Sequence, residues 1–304
     1  MELRQLRYFS QIAALQNFSK ASETLCIAQP ALSRQIRLLE EELGTKLFDR
    51  NSAGVTLTEA GERFLLHARL ILRQTEYARD SVSDDGLPRG IVAIGATDSI
   101  AELLYPEVVS VVRDLYPHVT LHLAASTSAH LIDRMERNEL DLAIVSSGVT
   151  PTTIQAEFLC DEDLYLVGGS DDPRLDVGKV LVSELPDFPL ILSSRRNRSR
   201  RDVEDLAIQL GAKLNIVAEV EHLHTIIDLI ECKIGYSFLP FSAVAKRIRP
   251  GGLSGAPLHD LRQSCYLASR IASQSSAVGV VKVEVQKALS SLIAAGDIGG
   301  RLKP

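Results

Sequence analysis

The chain has 304 residues, 24% of them charged, and a formal net charge of −6, the composition of a soluble globular protein long enough for more than one domain. No apolar run approaches the roughly 20 residues of a membrane span. The opening MELRQLRYFSQ lacks the apolar core of a signal peptide, so a cytoplasmic location is expected and no membrane is called for. Cys26, Cys160, Cys232 and Cys265 lie outside any CxxC spacing, which argues against a zinc site or a disulfide framework.

Helical periodicity predicts a first helix over Met1–Leu15, with Leu3, Leu6, Phe9 and Ala13 on one face and Ile12 beside them. The stretch Phe18–Arg37, FSKASETLCIAQPALSRQIR, then reads as two short helices joined tightly at Cys26-Ile27-Ala28. The first would run from Ser19 to about Leu25, with the Ser19 hydroxyl as its cap. The second opens at Gln29-Pro30, with proline at the first helical position, where no hydrogen bond is lost. Projected at about 100° per residue, Leu32, Ile36, Leu39 and Leu43 share a face, while Pro30, Arg34, Arg37 and Glu41 lie opposite, with Gln29 and Ser33 at the flank. Arg, Gln and Ser on an outer helix face suit the base edges of a major groove, and helix, short turn, helix is the geometry of a helix-turn-helix. A helical hairpin with a solvated charged face accounts for the same residues. Bulk charge does not decide between them. Residues 1–58 hold seven Lys/Arg against six Asp/Glu, although Glu40, Glu41 and Glu42 gather at the far end of the second helix and leave its start basic.

Gly44 stops that helix. Lys46–Arg50 and Val55–Leu57 are strand-like around Asn51-Ser52-Ala53-Gly54, a hairpin of the kind that forms a wing; Arg50 at its edge is either a phosphate contact or a solvated arginine. Thr58 to about Asp84 is one long helical pattern capped by Thr58. Leu57, Ala60, Phe64, His67/Ala68, Ile71, Thr75, Ala78 and Val82 recur at steps of three and four, as in a two-stranded seam. Packing of an amphipathic helix on its own domain would give the same period. Asp84-Asp85-Gly86-Leu87-Pro88 carries the stop signals.

From Gly90 the pattern alternates. Strands are expected at Ile91–Ala96, Val119–Ala124, Leu142–Val145, Leu164–Val167, Leu190–Leu192, Ile216–Val220, Gly235–Leu239 and Cys265–Arg270. Helices are expected at Ile100–Leu115, Ala129–Asn138, Arg200–Leu210, Leu223–Glu231 and Ala277–Ala295, and 296–304 reads as a polar tail without structure. Such alternation argues for α/β architecture with parallel strands.

Across about sixty positions the N-terminal part, with LRYF, ASETL, AQPALSRQIRLLEEELGTKLFDR and TEAG, resembles the DNA-binding domain of LysR-type transcriptional regulators. The resemblance implies a winged helix-turn-helix over 1–58, a dimerising linker helix over 59–88 and an effector-binding domain over 89–304. That last domain would be bilobal, like periplasmic solute-binding proteins, with subdomain I about 89–160 and 266–304 and subdomain II about 161–265. It implies that Gln29, Pro30, Ser33 and Arg34 face base edges, and that Arg37 and Arg50 contact phosphate. Double-stranded promoter DNA would be the partner, with dimers through the linker helices, tetramers through the effector domains, and RNA polymerase as a further contact. A Gly commonly stands two residues before Gly235 in such proteins. Here it is Lys233, which puts in doubt the tight end of the preceding helix.

In open α/β sheets, ligands sit beyond the carboxyl ends of strands, where helix N-termini favour anions. Thr97-Asp98-Ser99, Ser126-Thr127-Ser128 and Ser193-Ser194-Arg195 follow strands in this way, with Ser146 and Ser147 as a fourth place. Capping of the following helix explains any one of these hydroxyls equally well. Among Arg195, Arg196, Arg198, Arg200 and Arg201, one or two could clamp an anion, and the rest suit a surface or a subunit contact. A small-molecule effector, a carboxylate, is expected in the cleft, opposed only by Asp98. No cofactor is expected. His222 and His224 are spaced wrongly for a helical metal pair, and buried cysteine is the default reading of Cys160 and Cys232. The alternative is a ligand-binding protein or an enzyme on the same bilobal fold. Against an enzyme stand the missing GxSxG, phosphate-loop and HExxH patterns.

Overall fold

The computed structural model describes residues 1–51, 54–81, 87–146, 148, 150–195, 197–248, 252–271 and 275–302. The expectations on Ser147, Val82, Arg196 and the 84–86 part of the stop signals lie outside the described residues, as do the middle of the hairpin turn and the Arg50 side chain. The chain divides into two compact units, Met1–Gly86 and Leu87–Pro304. Among the described residues no helix is long and apolar enough to cross a membrane.

In the first unit, α1 (Leu3–Leu15), α2 (Phe18–Thr24) and α3 (Gln29–Leu43) precede a hairpin of β1 (Phe48–Asn51) and β2 (Gly54–Leu57), then α4 (Glu59–Ser81). The hairpin is antiparallel, Phe48 opposite Leu57 and Asn51 opposite Gly54. The core is aromatic at its centre. Phe9 lies 5.1 Å from both Phe48 and Phe64, and Phe18 lies 5.8 Å from Phe48, centroid to centroid. Burying Phe18 explains why α2 starts one residue earlier than expected. Asn17, extended at φ −153°, accepts the Lys20 N–H at 3.0 Å and is the cap; Ser19 is already inside the first turn. Pro30 is the second helical residue, not the first, because Ala28 is the cap and Gln29 opens the helix. That position also lacks an internal partner for its N–H, so proline costs nothing there. Leu3 and Leu43, at helix ends beyond the core, are exposed, whereas Ile12 is fully buried.

The seam expected along α4 is partly spent inside this unit. Ala68 is fully buried, and Phe64, Leu65, Ile71 and Leu72 pack around the same core. The reading of helix packed on its own domain therefore holds for this stretch. Thr58 does cap the helix, its Oγ accepting the Gly61 N–H at 2.9 Å while donating to the Lys46 carbonyl at 2.7 Å. Gly61 is obligatory there, since a Cβ would lie 2.1 Å from the Leu47 carbonyl oxygen.

In the second unit, β3 (Gly90–Ala96), β4 (Val119–Ala125) and β5 (Leu142–Val145) are parallel, crossed over by α5 (Asp98–Leu115) and α6 (Ser128–Glu136). Two long antiparallel strands, β6 (Ile154–Gly168) and β10 (Ser254–Arg270), run between the lobes. One end of β10 pairs with β5 through Tyr266–Ser269, and the other end of β6 pairs with β9 (Ser237–Pro240) through Leu164–Val167. Sequence periodicity finds only one end of each, because their middles carry Asp161-Glu162-Asp163 and Leu261-Arg262-Gln263 where the chain passes between two cores. The second lobe adds β7 (Leu190–Leu192), parallel to β8 (Ile216–Glu219), with α7 (Arg198–Gln209) and α8 (Leu223–Glu231). A last helix, α9 (Ser276–Ala295), packs on α5. The tail is not structureless: β11 (Gly300–Leu302) pairs with β6 at Cys160–Glu162.

Lys233 adopts the left-handed conformation, φ 57°, just past α8, and the Ile234 N–H reaches the Leu229 carbonyl at 3.1 Å. The tight helix end is kept despite the missing glycine. Gly235 is needed two residues on, where a Cβ would lie 2.6 Å from the Pro189 carbonyl oxygen.

Candidate nucleic-acid interface and ligand cleft

Leu32, Ile36 and Leu39 anchor α3 in the core, which leaves Gln29, Pro30, Arg34 and Arg37 exposed on the outer side. Pro30, Ser33, Arg34 and Arg37 line a shallow groove together with Lys46, Phe48 and Asp49 from the hairpin. Gln29 Nε2 lies 3.3 Å from Ser33 Oγ, and Arg37 is 3.4 Å from Glu41, one turn on. Arg34 has no ion-pair or hydrogen-bond partner among the described residues, so its guanidinium is free to meet an incoming group. The role of Glu40 was missed by sequence reasoning, which placed it only in the acidic cluster at the far end of the helix. Its buried carboxylate accepts from Lys46 Nζ (2.9 Å) and from the N–H groups of Leu47 (2.9 Å) and Phe48 (3.3 Å), fixing the recognition helix to the hairpin.

The second unit contains a cavity of about 400 Å³ walled by both lobes. Thr97, Asp98, Ser99, Ser126, Thr127, Ser146 and Ser193 all reach it, so four loops far apart in sequence converge. Arg195 does not line it. That side chain is 76% exposed and pairs with Glu204 at 3.1 Å, which corrects its assignment to the ligand site. Among the described residues, the arginines that line the cavity are Arg198, Arg200 and Arg201. Arg198 pairs with Asp202 at 3.3 Å. Arg200 is buried and bonded to Glu204 and Glu219 and to the Ser193 carbonyl. Burial works against its charge, but the bonds to Glu219 and Glu204 outweigh burial and raise its pKa. Ser146 is also committed, its hydroxyl 2.8 Å from Ser128 Oγ, and the Ser146 N–H donates to the same Ser128 oxygen. Asn197, Ser199 and Gln263 complete the wall; no local motif marks them, because only the fold brings them to the cleft.

Three helices open onto this cavity. The first helical bond of α5 is Ala101 N–H to the Thr97 carbonyl, that of α6 is Leu131 to Thr127, and that of α7 is Arg201 to Asn197. The amides before them have no partner within their helices. Thr97, Thr127 and Asn197 stand at the cap positions, yet none makes a side-chain cap bond. Asn17 of α2 and Ser275 of α9 do make such bonds, while Ala28 of α3 and His222 of α8 do not. Simple capping therefore does not account for the hydroxyls of Thr97 and Thr127. Across the lobes, Glu102 of α5 lies 2.5 Å from His224 of α8 and 3.5 Å from Arg247. Beneath the cleft, Tyr105 Oη donates to the Ala124 carbonyl at 2.5 Å, and burial raises its pKa. Glu162, on β6 between the lobes, is fully buried. Burial pushes its pKa up to about 7, against the opposing bond from the Ser242 N–H at 2.5 Å.

Comparison with known proteins gives two matching families. Residues 3–62 match the bacterial regulatory helix-turn-helix of the lysR family, and residues 85–288 match the LysR substrate binding domain. The nitrogen assimilation regulatory protein nac of Klebsiella aerogenes is 36% identical over 245 residues, 80% of this chain and 79% of that one. A full-length OxyR variant from Pseudomonas aeruginosa superposes with a TM-score of 0.77 at 24% identity, covering 100% of this chain and 99% of that one. Full-length CbnR complexed with its target DNA gives 0.68 at 23% identity, covering 95% and 100%. At these identities the two structures establish the fold.

Proposed function

The chain belongs to the LysR family of bacterial transcriptional regulators, and from that premise we propose how its residues divide the work. It is a DNA-binding regulator with an effector domain and not an enzyme. Gln29, Pro30, Ser33 and Arg34 read base edges in the major groove, with Arg37, and Arg50 of the wing, on phosphates. The parts of α4 not spent on α1, around exposed Leu66 and Ala78, form the dimer contact. The second units assemble the dimers into a tetramer that works in the cytoplasm and engages RNA polymerase. The domain limits are 1–58, 59–88 and 89–304.

The cleft takes a small carboxylate on Thr97, Ser99, Ser126, Thr127 and the open helix ends. One observation carries this reading: three helices start on a single cavity with their caps unmade. Binding changes promoter occupancy only if the carboxylate favours one arrangement of the lobes, and the Glu102–His224 contact across the lobes differs between such arrangements. Footprinting on the DNA upstream of the gene, with and without a panel of carboxylates, tests it. A protected region whose length changes with one compound is the expected result. Protection that no carboxylate alters would remove the effector assignment, and the absence of any protection, repeated in a random-sequence selection, would remove the base-reading one.

A further inference from the structure

We propose that the cleft selects a zwitterion, an acidic α-amino acid, over a carboxylate without an amine; the inference rests on the effector reading above. At one wall, Ser99 is 5% exposed, lines the cavity and has no hydrogen-bond partner among the described residues. Its oxygen is open to the cavity and not sealed in the core, so the hydroxyl can donate to or accept from a ligand held there. With Thr127 and the open amides of α5 and α6 it forms a seat for one carboxylate.

Asp98 stands beside that seat, half-buried, lining the same cavity and without a basic partner among the described residues. An acid at the first position of α5 suits that helix's own dipole, which explains its sign. It still places a negative charge next to a bound carboxylate, and two of the three described arginines in the cavity wall are committed elsewhere: Arg198 to Asp202, Arg200 to Glu204 and Glu219. An α-ammonium on the ligand turns this repulsion into an ion pair. Glu221, the other acid of the lining, is exposed at its edge, where solvent screens it.

On the other lobe, the first turn of α7 carries Arg198, Arg200 and Arg201 and no acid, an arrangement of the wrong sign for the positive end of a helix. Arg201 alone of the three has no carboxylate partner among the described residues; it donates to the Arg195 carbonyl at 3.4 Å. Its charge and the open amides of α7 suit a second, side-chain carboxylate. The cavity thus presents anion, cation and anion seats in the pattern of an acidic amino acid.

The test is calorimetric titration of the intact protein with L-glutamate, L-aspartate, glutarate, succinate and L-alanine. Glutamate or aspartate should bind at least about tenfold more tightly than glutarate or succinate, the size of one charged hydrogen bond. Asp98→Asn should abolish that advantage while leaving the dicarboxylates unchanged or tighter. Arg201→Ala should bring the acidic amino acids down to the level of alanine. Glutarate binding as tightly as glutamate to the wild type, a comparison that needs no variant, would overturn the amino-acid inference and leave the carboxylate reading standing. Binding of no compound in the panel, with Ser99→Ala also without effect on any footprint response, would overturn both.

Discussion

Glu40 in the first unit and Glu162 in the second are both buried carboxylates next to a functional surface, and they are held in opposite ways. Glu40 accepts three hydrogen bonds, one from Lys46 and two from backbone N–H groups, so its charge locks recognition helix to hairpin. Among the described residues Glu162 accepts one, from the Ser242 N–H, and its second oxygen has no partner. The proposed DNA-reading surface is thereby built as one piece, while the strands joining the lobes carry a group that is only marginally charged near neutral pH. On the proposed reading, rigidity belongs where bases are read, and latitude where the lobes answer a ligand.

Removing each glutamate sharpens this contrast. Glu40→Ala orphans the buried N–H groups of Leu47 and Phe48 and should cost about 1–3 kcal/mol for each, read from urea unfolding. A loss below about 0.5 kcal/mol would show that the hairpin is held by other means. Glu162 should give the opposite sign. Its folded pKa of about 7 lies above the ordinary 4.5, so between those values the folded chain keeps a proton that the unfolded chain has released, and stability falls as pH rises. The total is about 3 kcal/mol, and Glu162→Gln should remove that slope and be the more stable form at pH 8. Thermal unfolding at a series of pH values checks it; an unchanged slope would assign the dependence to other groups.

Gly61→Ala tests whether the first unit is as close-packed as its bonds suggest. The Cβ meets the Leu47 carbonyl, and a loss of about 1–3 kcal/mol is expected in the same unfolding assay. The smallest effect should come from Arg195→Ala. Arg195 is largely exposed and Glu204 keeps its bond to Arg200, so stability and ligand affinity should stay within about 0.5 kcal/mol of the wild type. A large loss of affinity would restore Arg195 to the cleft.

Legibility in sequence follows the same division. In the first unit, function rests on neighbours along one helix: the period that buries Leu32, Ile36 and Leu39 also turns Arg34 and Arg37 outward, so the reading face can be projected from sequence. Helix α8, Leu223–Glu231, was legible to the residue for the same reason. The cleft was legible only as a set of hydroxyl-bearing loops. Whether Thr97 and Thr127 cap their helices is set by how the loops close, and which arginine remains unpaired depends on Glu204 and Glu219, which lie further along the chain. Strands β6 and β10 were under-read at 15 and 17 residues because neither apolar alternation nor a single core runs their whole length. The tail strand β11 has too few residues to show a pattern at all.

The most direct measurement is equilibrium binding of the intact protein to its own upstream site and to a scrambled site, for the wild type, Arg34→Ala and Ser99→Ala, with and without the compound that alters the footprint. Arg34→Ala should lose roughly 1–3 kcal/mol of preference for the cognate site, as expected for a bidentate base contact. Ser99→Ala should keep that preference and lose the response to the compound. Full sequence preference in Arg34→Ala, or an undiminished response in Ser99→Ala, would contradict the division of reading and control between the two units.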